Sequence, residues 1–224
     1  NQPLLQPANN KPVQLLTQDI RSNYMNTRTG IDQFGPHFVA ARQEIQQRIL
    51  QFGRGVDRLD LDLIRDSFHP DAEDDHGPYK GDVEGLIQWI SERHQTIRYS
   101  CHHIPNIFIE FANKIEAFAE TTSLVWQSVT PEAKVLDLAN ADPSGEFEML
   151  VSGRYVDHFT HRDGAWRIQR RVTLAESMMV IPGKPQAPGP ESGFRSPTRD
   201  ENDPAQQLRA RLGLGSNATK LNRT

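Results

Sequence analysis

A single cysteine, Cys101, stands in the 224-residue chain. That excludes an intramolecular disulfide framework and suits a reducing compartment. No apolar run approaches the roughly 18 residues a membrane-spanning helix needs. The first residues lack the basic-then-apolar pattern of a secretory signal, so a cytoplasmic location and no membrane partner are expected. Positive charge is not in excess: 25 Lys and Arg face 29 Asp and Glu, a net charge of −4. Without a Lys/Arg stripe interleaved with aromatics, no nucleic-acid partner is expected. No Gly-rich loop follows a strand pattern and no G-x-S-x-G elbow occurs. Nucleotide cofactors and a serine nucleophile are therefore disfavoured, and Cys101 has no recognisable reactive setting. His69, Asp71, Asp74, Asp75 and His76 crowd one turn-rich stretch, but their spacing fits no compact ligand set. No metal and no other cofactor are expected. Two glycosylation-type triplets, at Asn217 and Asn222, fall in a polar tail and read as chance.

What the chain does have is organised in three parts. Residues 1–35 mix Asn, Gln and Pro with isolated apolar residues, which suggests an arm lying on its own domain or on a neighbouring subunit. Residues 36–181, roughly 145 in all, have the size of one compact domain. Residues 182–224 carry Pro182, Pro185, Pro188, Pro190, Pro197 and Pro204 and read as an extended tail, with a short helical turn around 206–212.

Within the central part, Phe38, Val39, Ala41, Ile45, Ile49, Leu50 and Phe52 recur every three or four residues. They predict an amphipathic helix over 36–55. A second short helix runs through Leu59, Leu61, Leu63, Ile64 and Phe68 and stops at Pro70. Asp82 caps a third, to about residue 96, buried through Val83, Leu86, Ile87 and Ile90. The period then changes to two, predicting long strands over 99–111, 114–129, 147–161 and 165–181. Asp163-Gly164 marks the tightest hairpin. Helices first and an antiparallel meander afterwards give an α+β fold, with helices packed on one face of a bent sheet.

Three polar residues stand out against this frame. Asp57 lies one turn beyond the predicted first helix, where its carboxylate can point back into the space the helix encloses. His102 shares a strand face with Ile104 and Asn106, and His103, which points the other way, is the competitor for the same role. A carboxylate partner would make such a histidine a poised base. Arg171 alternates with Gln169 and Thr173, opposite Ile168, Val172 and Leu174. On an inner face it would stabilise a developing oxyanion. Trp89, Phe108, Phe118, Trp126, Phe147, Met149 and Tyr155 are core residues first, and those facing inward would line an apolar pocket.

Several strings resemble the SnoaL-like group of the nuclear transport factor 2-like superfamily, the cone-shaped α+β barrels. They are VDRLDLDLIRDSFHPDA, PYKG before a helix, HHIPN opening a strand, and RYVDHFTHRDGAWRIQRR. The likeness spans about residues 38–181 and implies helices packed on a strongly bent antiparallel sheet. Within the group the chain looks most like cofactor-independent lyases: hexachlorocyclohexane dehydrochlorinase, scytalone dehydratase and bile-acid dehydratase. The resemblance implies an Asp57–His102 pair in the cone, with Asn106 four residues after the histidine. It also implies an arginine on the last strand, Arg171, and a tyrosine before the third helix, Tyr79. Phe52 stands where some members have a lysine, so their leaving-group chemistry does not carry over. The candidate catalytic set is then Asp57, His102, Arg171 and Tyr79, and the candidate substrate contacts are Asn106, Trp89, Trp126, Met149 and Phe108. The implied activity is a dehydratase or C–C lyase on a hydrophobic aromatic or polycyclic molecule. An isomerase or cyclase, or a non-catalytic binding or structural subunit of the same fold, is the alternative. The implied assembly is a homo-oligomer, trimer ahead of dimer, and the Pro-rich tail is expected to lie across a neighbour, anchored by Phe194 and Leu208, where it closes or borders the cone mouth.

Overall fold

The computed structural model describes residues 25–26, 30–133, 147–182, 189–195 and 197–214. A two-stranded ribbon, β1 (Met25–Asn26) and β2 (Ile31–Asp32), precedes the long helix α1 (Pro36–Arg58). Gln33, next to β2, is buried and exchanges two 3.1 Å hydrogen bonds with the backbone of Phe111. The end of the expected arm is thus fastened to the domain. Residues 1–24 and 27–29 lie outside the described residues.

Pro36 opens α1 at a position where its missing N–H costs nothing, and Phe38, Ala41, Ile45, Ile49, Phe52 and Val56 form its buried stripe. The helix continues past its predicted end at 55, because Leu59 takes the left-handed cap at φ 53°. Asp57 therefore sits in the last turn of α1 rather than beyond it. Asp60 caps α2 (Leu61–Asp66), and Asp82 caps α3 (Val83–Arg93) by accepting from the Gly85 N–H at 2.8 Å.

The helices cover one face of a seven-stranded sheet. Its strands are β3 (Phe68–Asp75), β4 (Lys80–Asp82), β5 (Ile97–His103), β6 (Ile107–Phe111), β7 (Glu116–Val129), β8 (Phe147–Arg162) and β9 (Ala165–Pro182). The order is β4-β3-β9-β8-β7-β5, with β6 also on β7. Every pairing is antiparallel except β3 with β9, which is parallel. The sheet is consequently mixed, where the sequence pattern suggested a purely antiparallel one. The fold is otherwise the expected bent α+β cone.

Three local features differ from the sequence reading, each for a physical reason. The passage from His69 to Asp75 is strand rather than turn. Pro70, which has no N–H to donate, falls where the β3–β9 register is interrupted between Phe68 and Glu73. The predicted strand over 99–111 is divided at Ile104-Pro105-Asn106, and both halves pair with β7. On β9 an extra residue, Gln169, bulges against β8, because His158 pairs Arg170 while Phe159 pairs Ile168. The bulge resets the alternation, so Ile168 and Arg171 both face inward instead of lying on opposite faces.

A second bulge lies between Ser152 and Gly153. A Cβ at Gly153 would stand 2.3 Å from the Leu174 carbonyl oxygen, so glycine permits the bend. These irregularities curl the longest strands, bringing β3, next to the β4 edge, and the edge strand β5 to one interior. The Asp163-Gly164 turn, both residues at positive φ, closes the hairpin as expected. In the tail, Asp203 caps α4 (Pro204–Arg211), and Arg199 donates to the Ile97 carbonyl at 3.0 Å.

Candidate active site

Between α1, α3 and the concave sheet lies a cavity of about 170 Å³, comparable to the roughly 150 Å³ that holds a benzene ring. Its walls are mostly apolar: Phe52 and Val56 from α1, Trp89 and Ile90 from α3, and Met149, Val151 and Tyr155 from β8. Leu174 and Met178 come from β9. The polar groups reaching it are His76, Arg93, His94, His102, Ser123, Gln127 and Thr173.

His102 stands on an edge strand, so its backbone N–H has no ladder partner on the α1 side. Asp57 supplies one. Its Oδ2 accepts that N–H at 2.8 Å, and its Oδ1 meets His102 Nδ1 at 2.7 Å and accepts from Ser100 Oγ at 2.9 Å. Gly53 permits the approach of strand to helix, since a Cβ there would lie 3.3 Å from that of His102. Burial alone would raise the Asp57 pKa. The hydrogen bonds and charge of His102, with Ser100, outweigh it and hold the carboxyl below its ordinary value. A carboxylate can only accept, so Nδ1 carries the proton facing it. In the neutral ring Nε2 is then the bare nitrogen of a side chain that lines the cavity.

A second histidine repeats the arrangement. His76, at the end of β3, lies 3.1 Å through Nδ1 from Asp74 Oδ1 and 3.2 Å from Thr173 Oγ1. Its ring contacts Phe52, Trp89 and Tyr155. Sequence reading weighed His76 and Asp74 only as metal ligands. The spacing of Asp74 and His76, two residues apart across the end of β3, was the available signal. Arg93 was missed as well, although it follows Trp89 by four residues and Ile90 by three, on the buried side of α3.

Of the expected site residues, His102, Trp89 and Met149 line the cavity, and Asp57 stands behind His102, bonded to it. The others do not border it. Arg171 is fully buried behind Phe52 and Tyr155, its guanidinium carbon 4.3 Å from each ring centre. It is paired bidentately with Asp157 at 2.7 and 2.8 Å. Burial disfavours the Arg171 charge, and Asp157 more than restores it. Tyr79 stacks on Trp89 and donates to the Asp82 carbonyl at 2.6 Å, tying the start of α3 rather than facing the cavity. Asn106 is exposed where Pro105 breaks the strand, its carbonyl accepting from the Thr122 N–H. Phe108 and Trp126 are 56% and 43% exposed on the outer face, and Trp126 donates to Glu148. Strand alternation separates them from the cavity: Ser123, Val125 and Gln127 take the inner positions of β7. His103 is exposed.

Residues 38–172 match the family model of the SnoaL-like domain. The chain belongs to that family. This SnoaL-like protein also superposes on solved structures. Against a hexachlorocyclohexane dehydrochlorinase, LinA type 2, the TM-score is 0.58 at 17% identity, over 68% of this chain and 96% of that one. The type 3 enzyme from Novosphingobium barchaimii gives 0.58 at 17%, over 68% and 98%. A Novosphingobium aromaticivorans protein provisionally assigned as a scytalone dehydratase gives 0.54 at 18%, over 64% and 89%. At such identities the likeness is one of fold. A search of curated proteins finds no match. Among the described residues no helix is long and apolar enough to cross a membrane, and no three His, Cys, Asp or Glu side chains gather around a metal position.

Proposed function

We propose that this SnoaL-like protein is a lyase working by general acid–base catalysis without a cofactor, eliminating water from an aromatic or otherwise apolar small molecule. The observation that carries the reading is the 2.7 Å Asp57–His102 contact at the wall of an apolar cavity. A filled cone would have suited a structural subunit. The structural relatives named as dehydrochlorinase and dehydratase add support at the level of reaction class.

His102 Nε2 takes the proton from a carbon next to the bond that breaks, and Asp57 balances the imidazolium that forms. The C–H electron pair becomes the new C=C bond, and the C–O pair leaves with the oxygen. His76 protonates that oxygen, so that water departs. The geometry suits this division: His76 Nδ1 faces the Asp74 carboxylate at 3.1 Å, while the Asp157 carboxylate is taken up by Arg171. The same base would serve C–C cleavage of a 1,3-diol: it takes the proton of the terminal hydroxyl, formaldehyde departs, the C–C pair becomes the C=C bond, and His76 protonates the leaving oxygen.

The test is a panel of aromatic and polyketide-like alcohols with mass-resolved product detection, which separates dehydration, fragment loss and isomerisation. His102→Gln and Asp57→Asn should each lower turnover by about 10²–10⁴-fold. His76→Gln should hurt poor leaving groups far more than good ones. Full turnover in both dyad variants would remove the mechanism.

A further inference from the structure

Arg93 is the cavity's unassigned charge. It belongs to the last turn of α3, is part-buried, and lines the same cavity as His102. Its Nη2 donates to Gln127 Oε1 at 2.9 Å, and its guanidinium carbon lies 5.7 Å from the Trp89 ring centre. Among the described residues no carboxylate pairs with it. The other buried arginine of the interior, Arg171, has a bidentate aspartate. Gln127 is itself engaged, donating to Ser100 Oγ at 3.3 Å, and Ser100 donates to Asp57. Arg93 is thereby fixed at one nitrogen by a chain that ends on the dyad, while the rest of its planar donor fork stays unused.

Burying a guanidinium without a counter-charge is unfavourable, and burial accordingly lowers the Arg93 pKa. A helix C-terminus offers a cation only fractional compensation. The arrangement suits an anion brought in by the ligand, because a guanidinium fork matches the two oxygens of a carboxylate.

We infer that the cavity selects substrates carrying an anionic oxygen group, foremost the carboxylate of an aromatic acid, and that Arg93 binds it. The inference rests on the cavity's being the substrate site and deepens that reading. The aromatic body then lies against Trp89, Met149 and Tyr155, with its reacting carbon toward His102. Gln127 holds the guanidinium and the Ser100–Asp57 pair in one register. Neutral compounds of the same shape leave the buried cation unpaired and bind less well.

The probes are trans-cinnamate and its neutral isostere cinnamamide, titrated calorimetrically into the full-length protein at pH 7. Cinnamate should bind about tenfold or more tightly than the amide, as a charge-assisted pair in a buried site warrants. Arg93→Met should erase the difference, and Arg93→Lys should keep part of it. Equal heat-denaturation midpoints of the unliganded proteins guard against a folding defect, and Arg93→Gln serves as a second neutral variant if Arg93→Met is destabilised. His102→Gln must retain the discrimination, so loss of the elimination mechanism and loss of this inference give different results. Equal affinity for acid and amide, discrimination that survives Arg93→Met and Arg93→Gln, or no saturable cinnamate binding up to its solubility would each overturn it.

Discussion

Replacing Arg171 by methionine tests whether this residue holds the fold or touches the substrate. Both Arg171 and Asp157 have 0% side-chain exposure, and the pair shares two hydrogen bonds. Methionine keeps much of the apolar stem between Phe52 and Tyr155 but leaves the Asp157 carboxylate buried and alone. Asp74 then adds like charge where Arg171 offset it. Breaking a buried pair on one side costs about 3–5 kcal/mol. Asp157→Leu, which strands the arginine instead, should cost a similar amount. In Arg171→Met/Asp157→Leu no charge of the pair is left unpartnered, so the double variant should lose far less than the sum, with a coupling of about 2 kcal/mol or more. Urea unfolding at pH 7, followed by circular dichroism, gives all three values. An Arg171→Met protein within about 1 kcal/mol of the wild type that had nevertheless lost its turnover would refute the structural role. It would return Arg171 to the site.

Two further predictions concern pH and assembly. His94 is buried with neither ring nitrogen hydrogen-bonded, and burial, then Arg199 and Arg93, push its pKa from 6.5 down to about 3. Its folded pKa is lower than its unfolded one, so stability is full above pH 6.5 and drains as pH falls toward 3. Between pH 6.5 and 5 the loss is about 1.5 kcal/mol, and His94→Leu should flatten that portion of the wild-type urea-stability curve. An unchanged slope would contradict it. Outward Phe108, Trp126, Met179 and Ile181 are each more than 40% exposed, and leaving such a sheet face in water costs about 25 cal/mol per Å². A homo-oligomer, trimer before dimer, is expected in sedimentation, and Phe108→Asp/Trp126→Asp should dissociate it. A wild-type monomer at micromolar concentration would disprove this.

The fold was legible where one physical rule acted alone. Hydrophobic period fixed α1 and α3, Asp82 announced its cap, and Asp163-Gly164 announced its hairpin. Reading failed where a second rule intervened. Pro70 reads as a helix stop in a turn-rich passage, yet it lies inside β3, where an irregular parallel ladder needs no N–H. Pro105 was passed over inside a strand, although it divides β5 from β6. A bulge is a tertiary compromise with no fixed residue signature, so the alternation across Gln169 was counted straight through.

The same failure decided which site residues were found. Asp57 and His102 carry family-like spacing and need only the last turn of a helix and an edge strand to meet, so two local predictions sufficed. Arg171 was placed on the correct inner face for an incorrect reason. What keeps it from the cavity is a pair of rings, Phe52 and Tyr155, contributed by elements more than a hundred residues apart in sequence. No local pattern encodes that layer. His76 and Arg93 pose the converse problem: their types and spacing were visible, but their meaning depends on what lacks a partner around them. A buried arginine with an aspartate is architecture, and one without a carboxylate is a reason to look for a ligand. That distinction is a matter of charge accounting in three dimensions. It places Arg171 in the frame and makes Arg93 the arginine to test for a ligand, whereas strand alternation pointed to Arg171 alone.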